Sequence, residues 1–249
     1  MEKLLTYKQS RYKNLRKQLE KCKVSLTPET LHGLRVELKK IKCLYRLLDN
    51  CNKNFRYSKH FKPLQKIFRK AGAIRDSDVL QKLYIEFKIN KSEKNILKKV
   101  HKENQHIASF RQNATENLKV LDKQEERTLK YFKEVNSREL NNYLLKLKNN
   151  LTEKIITGFK EDELHDIRKG CKEIIYLSRL STGLFSAARI KLYDKLQDAI
   201  GQWHDKIVLI ESLEDDKKED HKKSILKIKA ACIKDIKKIK PMISKTSKK

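Results

Sequence analysis

The sequence predicts an all-α protein built from a duplicated helical unit, and three observations carry that reading. Only 6 glycines and 3 prolines occur in 249 residues, so turns are scarce and helices must be long. No window sustains the apolar–polar alternation of a half-buried strand. One amphipathic basic segment, Leu31–Asp49, recurs as Leu164–Leu180, which marks an internal repeat.

Residues 3–23 form the first expected helix, with Leu4, Tyr12, Leu15, Leu19 and Cys22 on one stripe. Thr27-Pro28-Glu29 then supplies an N-cap, a proline at the first helical position and an acid in the first turn. The helix that follows runs to about Asn50. On it His32, Arg35, Lys39, Lys42 and Arg46 share an arc of roughly 80°. Leu34, Leu38, Ile41, Tyr45 and Leu48 occupy a second arc on the far side, so one face enters a core while the other presents cations about one turn apart. Lys40 and Lys169 sit off the main arc.

A polar loop is expected over Asn50–Ser58, then a helix from about Lys59 to Ala71. Gly72 reads as an interruption, after which Ile74–Val79 leads into a fourth helix carrying Val79, Leu80, Leu83 and Phe87. Residues 92–133 are charged and only moderately periodic, and read as one long helix followed by a second. Asn136 or Ser137 caps a helix through Ile155 that Thr157-Gly158 ends. Acids at 161–163 open the second basic helix, and Ser181–Phe185 is a turn. Residues 187–213 read as a helix with an interruption at Gly201. The last helix is expected to stop at Pro241, leaving 241–249 as a flexible basic tail.

The repeat extends beyond the basic helices. His165, Arg168, Lys172 and Arg179 match His32, Arg35, Lys39 and Arg46, each 133 residues later. Gly72-x-x-Arg75-Asp76-x-x-Val79 matches Gly201-x-x-His204-Asp205-x-x-Val208, 129 residues later. One unit of about 130 residues, some four helices, has been duplicated.

Lys+Arg 60 against Asp+Glu 32 gives a formal charge of +28. A surface that basic repels itself unless it meets a polyanion. Nucleic acid, an anionic membrane and phosphate polymers are the candidates, and charge alone does not choose among them. Five cysteines form no C-x-x-C pair, and several hold apolar helix positions, as expected of reduced thiols in the cytoplasm. The first residues carry Lys and Glu without an apolar stretch, so no secretory leader is expected, and no apolar run approaches the ~18 residues of a membrane span.

Four motifs now stand in order: H-x-x-R-V-x-x-K-K-x-K from His32, G-x-x-R-D-x-D-V from Gly72, H-x-x-R-x-x-x-K from His165 and L-Q-D-x-I-G-x-x-x-D from Leu196. Together they resemble the CHAD family, the conserved-histidine α-helical domain, from about Leu5 to Ile239. The resemblance implies a single domain made of two four-helix bundles related by a pseudo-twofold axis around a central basic groove or pore. Its halves would be about 1–90 and 137–240, with connecting helices at 91–136. It also implies binding of inorganic polyphosphate, association with polyphosphate granules, and no enzymatic activity of its own. The triphosphate tunnel domain sometimes fused to this family is not matched, because Glu161–His165 lacks the tunnel's strand motif E-x-E-x-K. Glu173 and Ile175 stand where the family pattern carries basic residues, so the first half is expected to hold more of the charge.

The expected ligand contacts are therefore His32, Arg35, Lys39, Lys42 and Arg46 in the first half, with His165, Arg168, Lys172 and Arg179 in the second. Arginine offers a planar fork to two phosphate oxygens and lysine a mobile point charge. Arg35 and Arg168 are expected to grip the anion directly. Asp76, Asp78 and Asp205 either brace these cations or cap a helix after the glycine, with capping the simpler account. Tyr176 and Trp203 read as core. No cofactor and no metal are expected. His165-Asp166 and His204-Asp205 invite comparison with HD-type metal phosphohydrolases, but the cations around His165 would repel a divalent ion. Weak non-specific nucleic-acid binding is the competing expectation, since it uses the same phosphate contacts. No helix-turn-helix, zinc-ligand or RRM motif supports it further.

Overall fold

The computed structural model describes residues 2–89, 105, 107–156, 161–181, 183–215 and 221–247. Among them there is no strand, and the chain is all-α as the sequence predicts. It divides into two compact units, Met1–Asp78 with Lys91–Tyr143, and Val79–Asn90 with Leu144–Lys249.

The first unit is built on α1 (Glu2–Val24), which packs against α2 (Pro28–Cys51) and α4 (Ala114–Glu134). The expected stripe of α1 is buried, and so is Lys8 beside it. Lys8 Nζ donates to Glu125 Oε1 at 2.8 Å, so the ammonium enters the interior with its counter-charge. At the centre, the hydroxyls of Tyr12 and Tyr45 share a 2.5 Å hydrogen bond, and Tyr45 meets Phe55 and Phe61 edge-on. Helix α2 begins as predicted: Thr30 N–H donates to Thr27 Oγ1 and Thr27 N–H to Thr30 Oγ1, a reciprocal cap. All five residues of its apolar arc are buried. Much of the expected connector belongs to this core, because α4 buries Leu121, Thr128 and Phe132. Residues 90–104 and 106 of that stretch lie outside the described residues.

In the second unit, α6 (Leu164–Leu177), α7 (Ala187–Asp215) and α8 (His221–Ser247) pack with parts of α3 (Tyr57–Glu86) and α5 (Ser137–Ile156). Asn136 is the cap of α5, since Glu139 N–H donates to Asn136 Oδ1 at 2.8 Å and Glu139 Oε2 accepts from Asn136 N–H. The core joins Leu164, Ile167, Cys171 and Ile174 of α6 to Leu196, Ile200 and Trp203 of α7 and to Ile228 and Ile239 of α8. The expected stop at Thr157-Gly158 lies outside the described residues.

Three expected boundaries are corrected. Gly72 does not interrupt a helix: α3 runs unbroken from Tyr57 to Glu86. Gly201 likewise lies inside α7. The basic tail is helical through Ser247, with Pro241 inside α8. A mid-helix proline removes one N–H bond and crowds the turn before it. Here Ile239, Ile243 and Thr246 hold the last turns against the core, and Arg189 Nη1 donates to the Thr246 carbonyl.

Candidate anion-binding helices

Burial of one side of α2 leaves His32 exposed and Lys39, Lys42 and Arg46 half-buried on the other. Arg35 turns toward α3. Its guanidinium lies over the Phe68 ring, 4.7 Å from the centroid, and Nη1 donates to the Phe68 carbonyl at 3.4 Å. Phe68 is one turn before Gly72, and the guanidinium fills the space a side chain at Gly72 would need: a Cβ there would overlap Nη1. Asp76, one turn further along, lies 3.9 Å from Arg35 Nη2 and 3.3 Å from Arg75 Nη1. Only 14 % of the Arg35 side chain is exposed, so Arg35 is first a pin between α2 and α3. Asp76 braces these arginines and caps nothing, because no helix begins there.

The second unit repeats the device with different neighbours. Arg168 Nε donates to the Gln197 carbonyl at 3.3 Å, and Gln197 stands one turn before Gly201. A Cβ on Gly201 would lie 3.0 Å from Arg168 Nη2 and 3.1 Å from Nε. His165 and Lys172 are half-buried on the same helix. Arg179 leaves the column, since α6 ends at Leu177 and Ser178–Leu180 is a 3-10 turn in which Arg179 is exposed. The structure therefore assembles His, Arg and Lys on one helix twice, each time with the Arg seated on a glycine of the next motif.

Those glycines are the site-defining residues the sequence reading misassigned. The available signal was their equal register, each four residues before an aspartate and each following a basic helix by a similar interval. The off-arc lysines are engaged locally: Lys40 Nζ lies 2.7 Å from Glu37 and Lys169 Nζ 3.1 Å from Asp166. Glu37 is buried and also takes Arg11 at 3.2 Å. Trp203 is buried as expected, while Tyr176 is only half-buried.

Burial lowers the Arg35 pKa from its usual value; Asp76 opposes that shift and Arg75 adds to it. Burial also lowers His165, helped by Lys169, His204 and Arg168 and opposed by Asp166. His165 therefore takes up a proton less readily than a free imidazole, among the cations of α6. Among the described residues no three His, Cys, Asp or Glu side chains converge as a metal cage would. No described helix is long and apolar enough to cross a membrane.

A family model for the CHAD domain matches residues 7–214. The crystal structure of the CHAD domain from the plant Ricinus communis is similar with a TM-score of 0.71, covering 98 % of this chain and 91 % of that one. Sequence identity over that match is 14 %, so the likeness concerns the fold. No curated protein matches. With the motifs, the all-α fold and a family match across most of its length, the chain belongs to the CHAD domain family.

Proposed function

We propose that this chain is a binding protein for inorganic polyphosphate, without catalysis, and that the basic face of α2 in the first unit and that of α6 in the second each take the polymer. The observation that supports this is the duplicated pin: Arg35 over Gly72 and Arg168 over Gly201 set the orientation of two equivalent basic faces. Polyphosphate has about one charge per phosphate and no base edges, so recognition rests on charge and spacing alone. Cations at i, i+3, i+7 rise about 5 Å per turn along a helix, which suits an extended anion lying beside it. Lys39 and Lys172 hold the same repeat position and are half-buried; with His32, Lys42, Arg46 and His165 they are the proposed contacts. Association with polyphosphate granules would follow from affinity for the polymer.

A competition titration at ~150 mM salt tests the reading, with polyphosphate against single- and double-stranded DNA. Polyphosphate is expected to bind more tightly. Lys39→Ala and Lys172→Ala should each weaken it by about tenfold, the order of one hydrogen bond to a charged group. Lys13→Ala, exposed on α1, should change little. Equal losses at all three lysines would mean diffuse attraction by net charge, and tighter DNA binding would favour the nucleic-acid reading.

A further inference from the structure

We propose that His165 and His204 form a proton-dependent phosphate subsite in the second unit, whose counterpart in the first unit carries a fixed charge at Arg75. The inference rests on the polyphosphate reading and adds how affinity follows pH. The two imidazoles come from adjacent helices, α6 and α7, with ring centroids 4.9 Å apart at an interplanar angle of 49°. His165 Nδ1 is buried and makes no hydrogen bond. Buried polar atoms are satisfied as a rule, and exceptions occur where a proton, ion or ligand completes the site.

The repeat shows what is distinctive here. His204 stands three residues after Gly201 as Arg75 stands three after Gly72, so the same register holds an imidazole in one unit and a guanidinium in the other. Arg75 is ion-paired with Asp76 at 3.3 Å, and a guanidinium, unlike an imidazole, does not depend on a proton from solvent for its charge. The imidazoles gain charge only by taking a proton. Around His165, α6 contributes Arg168, Lys169 and Asp166, and α5 contributes Lys154 through its 3.4 Å contact with Asp166, while on α7 Asp205 follows His204 in the chain. Two imidazolium groups this close repel each other, and the cations of α6 add to the repulsion. A phosphate oxygen cancels that field, and an imidazolium N–H can donate to it where a neutral nitrogen presents a lone pair. Binding therefore draws a proton from solvent into the pair.

Calorimetric titration of the full chain with a polyphosphate of defined length, at pH 7 in two buffers of different ionisation enthalpy, counts protons taken up on binding. The wild type is expected to take up protons and to bind about three- to tenfold more tightly at pH 6 than at pH 7.5, within the roughly tenfold per pH unit that one linked proton allows. His204→Arg should bind tightly at both pH values with reduced uptake. His204→Gln should also lose uptake, without the affinity gain at pH 6. Arg75→His should steepen the pH dependence by giving the first unit the same property. Equal uptake by the wild type and both His204 variants would overturn the proposal while leaving polyphosphate binding intact. Absence of binding at either pH would instead remove the polyphosphate reading on which it rests.

Discussion

The seating of arginine on glycine is open to a double-mutant cycle. Replacing a helix-interior glycine by alanine ordinarily stabilises a protein by about 0.8–1.0 kcal/mol, because the backbone loses less freedom on folding. At Gly72 the new Cβ would clash with Arg35 Nη1, so the guanidinium must shift off its seat. It then loses the hydrogen bond to the Phe68 carbonyl and the contact with the Phe68 ring. A hydrogen bond from a charged donor contributes about 1.5–3 kcal/mol. Gly72→Ala alone should therefore destabilise by roughly 0.5–2 kcal/mol, the seat's contribution less the helix gain.

In an Arg35→Ala background the same change meets no guanidinium and should stabilise by about 1 kcal/mol. Urea unfolding of the wild type, both single variants and the double variant gives the coupling, expected at about 1.5–3 kcal/mol. At Gly201 the closest approach is 3.0 Å, so Arg168 need only shift slightly and the coupling should be smaller. If Gly72→Ala stabilised both backgrounds alike, Arg35 would not depend on the missing side chain, and the duplicated pin would lose its meaning.

Three further outcomes are expected. Glu125→Ala leaves the Lys8 ammonium, whose side chain is 3 % exposed, without its partner and should lower stability by about 3–5 kcal/mol, whereas Lys8→Met should change it by less than about 1.5 kcal/mol. Burial lowers the pKa of His60 as well as His165, so the unfolded chain binds protons that these sites resist; the melting temperature should fall as pH drops below about 6.5 and level off once both sites have titrated. Burial pushes the Cys171 thiol up to about 12 and Cys51 up to about 11, so neither should react rapidly with a thiol reagent at pH 8 until the protein unfolds; a rapid labelling phase at either residue in the native state would contradict that burial.

Periodicity is legible when burial enforces it. The stripe of α1 and the apolar arc of α2 follow from spacing, because a helix facing a core on one side has little freedom in where its leucines go. The cap at Thr27 and the start of α5 at Asn136 were legible for a similar reason, since few side chains can satisfy the first N–H groups of a helix. The burial of Lys8 was not, because its partner Glu125 is 117 residues away and nothing local announces the pair.

Glycine is where local reading failed, and the failure has one physical cause. The propensity of a single residue concerns the backbone that carries it, so Gly72 and Gly201 read as weak points in their helices. In the folded chain each is defined by a side chain from another helix, which needs the volume that Cβ would fill and the carbonyl one turn before it. The repeat alone carried that information: the same glycine, in the same register, follows each basic helix at a similar interval. A helix break has no reason to keep register with an arginine on another helix, whereas a seat for that arginine must keep it. The shared interval therefore argues for contact, and it turns two weak points in the sequence into the elements that orient both basic faces.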